Sequence, residues 1–195
     1  MLYKQDVKRY QTKLRNVSPR YTTRDGRKLT LRLLHPSDAP LLVEMFHLLT
    51  PETRRRRFHI GVENVSEEVV HQRSVELADV DNKAVSGAIV AVYKDETGEH
   101  IVGSVRLARD PAAPESPEAE AAIVVRDDFQ GQGVGTELMR RLVLLAKQMN
   151  VKKMVAIFQP DNEDAIRIFR EVNLPYVTTI DHGETILTIE VPSEP

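Results

Sequence analysis

The stretch from residue 121 to residue 149 constrains the fold most, because it joins three local signals in one order. An apolar run, "AAIVV", is followed by "RDDFQGQGVG", which has glycine at three alternate positions, and then by "TELMRRLVLLAKQM". In the last stretch apolar residues recur at helical spacing, at Leu138, Leu142, Leu145 and Met149. The pattern predicts a buried strand, a glycine turn and an amphipathic helix.

Closely spaced glycines before a helix favour an anion-binding loop. Without a Cβ the backbone can approach a ligand and adopt positive φ, and the unpaired N–H groups of the first helical turn attract an anion. Two familiar phosphate loops do not fit. Gly135 is followed by Thr136 rather than the lysine of a P-loop, and Thr136 also occupies the third glycine position of the dinucleotide fingerprint. A phosphate loop of a third kind is the favoured interpretation, with a plain tight turn as the alternative.

The rest of the sequence predicts one α/β domain, of the α+β type, over residues 27–195. Residues 1–26 are predicted to be an N-terminal extension, because charged residues are spread through most of this segment. Helices are predicted to begin near Ser37, at Pro51 and at Ser66, where capping residues or proline precede apolar spacing. Strands are predicted at 28–34, 87–93, 101–108, 121–126 and 153–158, with a short helix and a hairpin closing the chain.

Composition excludes several classes of function. The absence of cysteine excludes a disulfide framework, a thiolate zinc site and a cysteine nucleophile, and it suits a reducing compartment such as the cytoplasm. A formal net charge of -2 argues against a nucleic-acid surface, and no apolar run approaches the roughly 18 residues of a membrane span. The six histidines form no close pair, so we predict no metal site.

The glycine segment resembles a known cofactor loop. Gln130, Gly133 and Gly135 match the Q-x-x-G-x-G pattern of the pyrophosphate loop in GCN5-related N-acetyltransferases, the GNAT family. The resemblance implies the GNAT fold, a central mixed, mostly antiparallel sheet flanked by helices and splayed between its fourth and fifth strands. More narrowly, "TPETRRRRF" and "VVRDDFQGQGVG" resemble the acetyltransferase domain of bacterial Pat-type protein lysine acetyltransferases.

The resemblance also implies how acetyl-CoA is held as the cosubstrate. Ile123 and Val125 would pair with its pantetheine amides. Asn162 and Ala165 match an N-x-x-A pattern in which the asparagine contacts the cofactor and the alanine leaves room for it; a helix N-cap is the alternative role of Asn162. The pyrophosphate would lie on the loop formed by Gln130, Gly131, Gln132, Gly133, Val134, Gly135 and Thr136, where the Thr136 hydroxyl could add a donor.

The resemblance implies that Glu120 is the general base. Strand alternation groups its side chain with those of Ala122 and Val124, at the start of the buried strand. The alternative is one more solvated acid of the preceding loop. The tyrosine that often serves the family as general acid is Phe169 here, which has no proton to give. Tyr176 could supply a hydroxyl, although a strand aromatic more often packs in a core.

Together these features predict an acetyl-CoA-dependent N-acetyltransferase acting on lysine ε-amino groups of cytoplasmic proteins, by direct transfer. Acyl-CoA synthetases are the substrates that the resemblance suggests. A small-molecule amine N-acetyltransferase and a non-catalytic acyl-CoA-binding regulatory module remain the alternatives. The basic run from Arg54 to Arg57 is interpreted as a solvated helix, with the CoA 3′-phosphate or an acidic protein as its other possible contacts.

Overall fold

The computed structural model describes residues 19–58 and 65–192, and an eight-stranded sheet runs through them. Its strands are β1 (Arg20–Thr22), β2 (Lys28–Leu33), β3 (Ser86–Lys94), β4 (Glu99–Ala108), β5 (Glu118–Val125), β6 (Lys153–Phe158), β7 (Tyr176–Asp181) and β8 (Glu184–Glu190). They lie in the order β1-β2-β3-β4-β5-β6-β8-β7. Only β5 and β6 pair in parallel, so the mixed, mostly antiparallel sheet confirms the predicted fold class.

Five α-helices of the described residues flank the sheet: α1 (Ala39–Leu48), α2 (Pro51–Phe58), α3 (Glu67–Ala78), α4 (Val134–Gln148) and α5 (Glu163–Arg170). Their starts follow the sequence signals. The Ser66 side chain accepts a hydrogen bond from the Val69 N–H (3.4 Å), and Pro51 opens α2, where its missing N–H leaves no bond unmade. None of the helices in the described ranges combines the length and the apolar content that a membrane span requires.

The two parallel strands separate part-way along their length. Their register pairs Glu118 with Lys153, Ala119 with Met154 and Glu120 with Val155, and no later residue of β5 pairs with β6. Beyond this point the sheet is open between the two strands. The splay was predicted between the fourth and fifth strands; the same two strands are fifth and sixth in the structure, because β1 precedes them.

Strand β5 begins three residues before the predicted start. The carbonyl of Pro117 accepts hydrogen bonds from the N–H groups of Lys152 (2.7 Å) and Lys153 (3.1 Å), which join this end of β5 to the start of β6. Glu120 therefore lies within the strand, opposite Val155, instead of preceding it.

Residues assigned to the N-terminal extension take part in the sheet. Arg20–Thr22 forms the edge strand β1, antiparallel to β2, and the Pro19 carbonyl accepts from the Leu31 N–H (2.6 Å). The three residues of β1 carry little apolar content, so no local pattern distinguished them from a polar tail. Residues 20–22 of the predicted extension are thus hydrogen-bonded to the sheet.

The core has two layers, one on each face of the sheet. On one face α4 buries Leu138, Leu142 and Leu145 against Val105 and Leu107 of β4. On the other face Met45 of α1 and Leu49, the residue that follows α1, pack against alternate residues of β3, namely Ala88, Val90 and Val92. Because the splay lies between the two layers, groups from both faces can line the gap.

Candidate active site

The glycine loop before α4 has a backbone that other residues would strain. Gly131 and Gly133 have φ values of 70° and 82°, in the left-handed region. A Cβ on Gly133 would collide with the Tyr21 hydroxyl, and a Cβ on Gly135 would lie 2.6 Å from Ile168 Cδ1. The loop therefore needs glycine at 133 for both its φ and its space, whereas a methyl group at 135 would require only the flexible end of the Ile168 side chain to move.

The turn between β1 and β2 holds the glycine loop from outside. The Gln132 carbonyl accepts from the Tyr21 hydroxyl (3.2 Å) and the Arg24 N–H (3.3 Å), and the Gly131 carbonyl accepts from Arg24 Nη1 (3.1 Å). The Gln132 side chain in turn accepts from the Asp25 N–H (3.0 Å). The Gly131 and Gln132 carbonyls are thus directed towards this turn.

The first turn of α4 keeps its N–H groups available. The first N–H of the helix to find a helical acceptor is that of Glu137, which donates to the Gly133 carbonyl (3.1 Å). The N–H groups of Val134, Gly135 and Thr136 have no acceptor among the described residues. Together with the positive end of the helix dipole, they form a site suited to an anion such as a phosphate.

The open edge of β5 presents backbone groups to the gap. The Arg126 N–H donates to the Val102 carbonyl (2.9 Å) in β4, so by alternation Ile123 and Val125 direct their backbone groups the other way, towards β6. The Val125 carbonyl accepts from Gln130 Nε2 (3.0 Å), which ties the glycine loop to the strand end. The backbone of Ile123 remains available to an extended ligand with amide groups.

A cavity of about 420 Å³ joins the anion site to this edge. Its volume suits a ligand of cofactor size, since small-molecule sites commonly measure roughly 300–1,000 Å³. Four arginines contribute to its wall, and Asp164 and Glu171 also line it. The arginines are Arg24, Arg56, Arg57 and Arg167.

Helix α2 is fixed to the end of β5 by Asp127. Its carboxylate accepts from the Thr50 N–H (2.9 Å), the Thr50 hydroxyl (2.8 Å) and the Thr53 hydroxyl (2.7 Å). Burial alone would raise the pKa of Asp127, but these hydrogen bonds outweigh burial and lower it. The Thr50 hydroxyl caps α2 by accepting from the Thr53 N–H (3.3 Å), and the Asp127 carboxylate holds this cap against the end of β5.

The arginines of α2 are not a solvated face, contrary to the sequence interpretation. Arg54 donates to the Phe46 (3.0 Å) and His47 (2.9 Å) carbonyls at the end of α1. Arg55 bonds to the Gln159 side chain and lies 3.1 Å from Asp161, both beyond the end of β6. All four are partly buried. Arg56 and Arg57 line both cavities, and Arg56 also pairs with Glu52 (2.7 Å).

Glu120 lines a second cavity, of about 280 Å³, whose wall shares Ile123, Asn162 and Ala165 with the first. Its side chain is exposed, and Arg57 and Arg106 lie near enough to attract its charge. Burial and the nearby Arg106 lower the pKa of Arg57 to about 10, while Glu120 opposes the decrease. Glu120 thus lies on a cavity that adjoins the first one.

Comparison with known proteins identifies the family. Residues 28–174 match the model of the acetyltransferase (GNAT) domain family. The chain belongs to the GNAT acetyltransferase family. It is 29% identical over 133 residues to an acetyltransferase of Pseudomonas aeruginosa, PA5475, across 68% of this chain and 67% of that one. As a family member it is an acetyltransferase with acetyl-CoA as the acetyl donor, and the loop, edge and cavity fit that donor.

Solved structures share the fold. The GNAT domain of S. lividans PAT has a TM-score of 0.73 at 23% identity, over 88% of this chain and 95% of that domain. The structure of yncA from Salmonella typhimurium with acetyl-CoA has a TM-score of 0.60 at 16% identity, over 85% and 95%. A cAMP-binding acyltransferase from Mycobacterium smegmatis has a TM-score of 0.57 at 24% identity; the match covers 89% of this chain but 46% of that enzyme.

Most residues assigned to cofactor binding in the GNAT resemblance lie around the 420 Å³ cavity. Gln132 is the exception, because its side chain turns to Asp25. Asn162 lines both cavities and also caps α5, accepting from the Ala165 N–H (3.3 Å), so both of its interpretations remain compatible with its position. The cavity wall includes Ile123, Val125, Gln130, Gly131, Gly133, Val134, Gly135, Thr136, Asn162 and Ala165.

Thr136 and Tyr176 are the hydroxyl donors considered from the sequence, and Phe169 stands where the family often has a tyrosine as general acid. The Thr136 hydroxyl donates to Glu171 (2.6 Å), so only its N–H points to the anion site without a protein partner. Tyr176 is 44% exposed on β7 and lines neither cavity, so it is not a core residue. Phe169 is 1% exposed and packs edge-to-face on Phe158, with 5.0 Å between ring centroids.

Several residues of the site carried no local signal. Tyr21, Arg24 and Asp127 act across at least 70 positions of sequence, through the hydrogen bonds described above. The one related signal in the sequence is that "TPETRRRRF" and "VVRDDFQGQGVG" occur together, since both resemble segments of the same kind of domain. Within the described ranges no group of three histidine, aspartate or glutamate side chains could hold a metal ion.

Proposed function

We propose that this acetyltransferase modifies lysine ε-amino groups of proteins, with Glu120 as the general base. The observation that carries the proposal is the position of Glu120 on a cavity that adjoins the donor cavity and opens to solvent. A long, flexible lysine side chain from a protein surface could enter such an opening. The likeness of the two motifs to Pat-type acetyltransferases supports the same acceptor, with acyl-CoA synthetases of the cytoplasm as the proposed substrate class.

The chemistry requires a base. A lysine ammonium has a pKa of about 10.4, so freeing its amine at pH 7 costs roughly 4.6 kcal/mol. Glu120 accepts this proton as the amine nitrogen attacks the thioester carbonyl. The C–N bond forms, the C–S bond breaks, and the CoA thiolate leaves, while the second proton of the nitrogen passes to solvent.

The other groups position the reactants. The backbone of Ile123 and the anion site at the start of α4 orient the donor along β5, so that its thioester lies near Glu120. Because the sequence contains no cysteine, direct transfer between the two bound reactants is favoured over a thioester intermediate on the enzyme. Phe169 offers no proton to the leaving thiolate, so solvent is the proposed source.

One experiment tests the acceptor. Lysate of the source cells is divided by ultrafiltration into proteins and small molecules, and each fraction is incubated with isotopically labelled acetyl-CoA and the enzyme. We expect new acetyl-lysines, mapped by mass spectrometry, in the protein fraction with wild type and a strong reduction with Glu120→Gln. Label that enters only small amines of the filtrate would contradict the lysine proposal.

A further inference from the structure

Strand β7 is an edge strand with unusual exposure. All six of its residues are exposed, and the exposed fractions of Val177 and Ile180 reach 61% and 79%. Its register with β8 continues without a bulge from Tyr176 to Asp181. Natural sheet edges are commonly protected by lysine, bulges or short length, whereas this edge carries only Asp181, at its end. The opposite edge, β1, is by contrast only three residues long.

The outward backbone groups of β7 follow from one hydrogen bond. The Pro175 carbonyl accepts from the Glu190 N–H (2.9 Å) in β8, so odd-numbered residues direct their backbone groups to β8. Tyr176, Thr178 and Ile180 consequently direct their N–H and C=O groups outward. No described residue pairs with them on that side. Their side chains also share one face of the sheet.

We infer that β7 pairs antiparallel with β7 of a second copy of this chain, in a register centred on Thr178. In a pair related by a twofold axis normal to the sheet and centred on a residue, facing residues are both even-numbered or both odd-numbered. The three outward-directed residues are all even-numbered, so they can face one another. Tyr176 then faces Ile180 of the second copy, Thr178 faces its own equivalent, and Ile180 faces Tyr176. Each facing pair exchanges two N–H···O bonds.

A second copy is favoured over another strand because the edge is complementary to itself. In this register each aromatic ring meets a β-branched side chain on the same face, a pairing that stabilises antiparallel strands. No like charges face each other, since the five residues from Tyr176 to Ile180 are uncharged. The closed pair removes both exposed edges and joins two eight-stranded sheets into one. The inference does not depend on the proposed acceptor.

The first test measures mass in solution by light scattering after size exclusion. We expect wild type at twice the mass of one chain. Thr178→Lys puts two like charges opposite each other at the symmetry centre, so its dimer dissociation constant should rise at least about tenfold. Thr179→Lys is the matched control, because it adds the same charge but faces Val177 of the second copy; it should remain dimeric.

The second test fixes the register. Because the chain has no cysteine, Thr178→Cys introduces a single thiol, about 5.5 Å in Cα separation from its equivalent in the paired strands. Tyr176→Cys thiols would lie about 14 Å apart along the strands. A short bifunctional thiol reagent should therefore crosslink the first variant and spare the second. A monomeric wild type, a Thr178→Lys dimer of unchanged affinity, or equal crosslinking of both variants overturns the inference.

Discussion

At the scale of single residues, Glu120 offers the sharpest test of the chemistry. Glu120→Gln keeps the shape of the side chain but cannot accept a proton, so kcat should fall by roughly 10²- to 10⁴-fold while acetyl-CoA affinity is retained. Raising the pH from about 7 to 10 deprotonates more of the acceptor amine, so the ratio of wild-type to variant kcat should narrow. Steady-state kinetics across this range measure both effects.

Glu115→Gln and Glu118→Gln are the matched controls. Both side chains are exposed, lie on the same segment and line neither cavity; Glu118 only approaches Lys153 Nζ, at 3.4 Å. They should stay within a few-fold of wild type at every pH. If all three variants behave alike, Glu120 is one more solvated acid and has no part in the reaction.

A second residue-scale prediction concerns the contact between Gly133 and Tyr21. Gly133→Ala adds a Cβ that collides with the Tyr21 hydroxyl at a positive φ, so acetyl-CoA affinity measured by calorimetry should fall at least about tenfold. Adding Tyr21→Phe removes the colliding oxygen and should restore part of the affinity, although the φ strain remains. A double variant that binds no better than Gly133→Ala would rule out the collision as the cause.

At the scale of elements, Asp127 is predicted to anchor α2 in a pH-dependent way. Its folded-state pKa is lowered, because the hydrogen bonds to Thr50 and Thr53 outweigh burial. Its contribution to the free energy of unfolding is therefore fully present above the ordinary aspartate pKa of about 4 and is lost as pH falls through the folded value. Urea denaturation of wild type and Asp127→Asn should differ by ~1–3 kcal/mol at pH 7, and by progressively less below pH ~4.

Asp128→Asn is the control for this prediction. Asp128 pairs with Arg126, two residues earlier (2.7 Å), and more distantly with Arg27 (3.9 Å); its side chain is half exposed, and its ion pairs do not involve α2. Its replacement should cost under about 1 kcal/mol, as is usual for an exposed ion pair. Equal losses for both variants would mean that the carboxylate of Asp127 contributes nothing specific to α2.

Elements were predictable where the signal is local, and much of the site was not. Apolar periodicity, together with cap residues such as Ser66, located the long helix and the central strands. A helix or strand that buries one face repeats its apolar residues with its own period, so the signal is visible in the local sequence. Strand β1 and the hydrogen bonds that Thr50 and Thr53 donate to Asp127 were not predicted, because each depends on contacts between residues distant in sequence. The glycine loop was identified as a ligand site, but the Tyr21 and Arg24 bonds that orient it were not.

At the scale of the whole molecule, the donor cavity joins parts that are separate in sequence. The turn after β1 holds the glycine loop, Asp127 connects that loop region to α2, and Arg55 links α2 to the segment after β6. These hydrogen bonds connect the turn after β1, the glycine loop, α2 and the segment after β6 to one another around the donor cavity. Binding should stabilise all of these parts together, by about 2.7 kcal/mol when the ligand is at 100 times its Kd.

Hydrogen exchange can follow this coupling along the chain. With acetyl-CoA added, we expect slower exchange in the glycine loop and also in the turn after β1 and in α2, because their hydrogen bonds are shared with the loop. Arg24→Ala removes the bond to the Gly131 carbonyl and one cation of the cavity wall, so it should weaken acetyl-CoA binding and reduce the protection of the turn. Arg73→Ala, on the exposed face of α3, removes an arginine outside this cavity and should change neither. Protection confined to the loop in wild type would show that the turn and α2 are not coupled to the ligand.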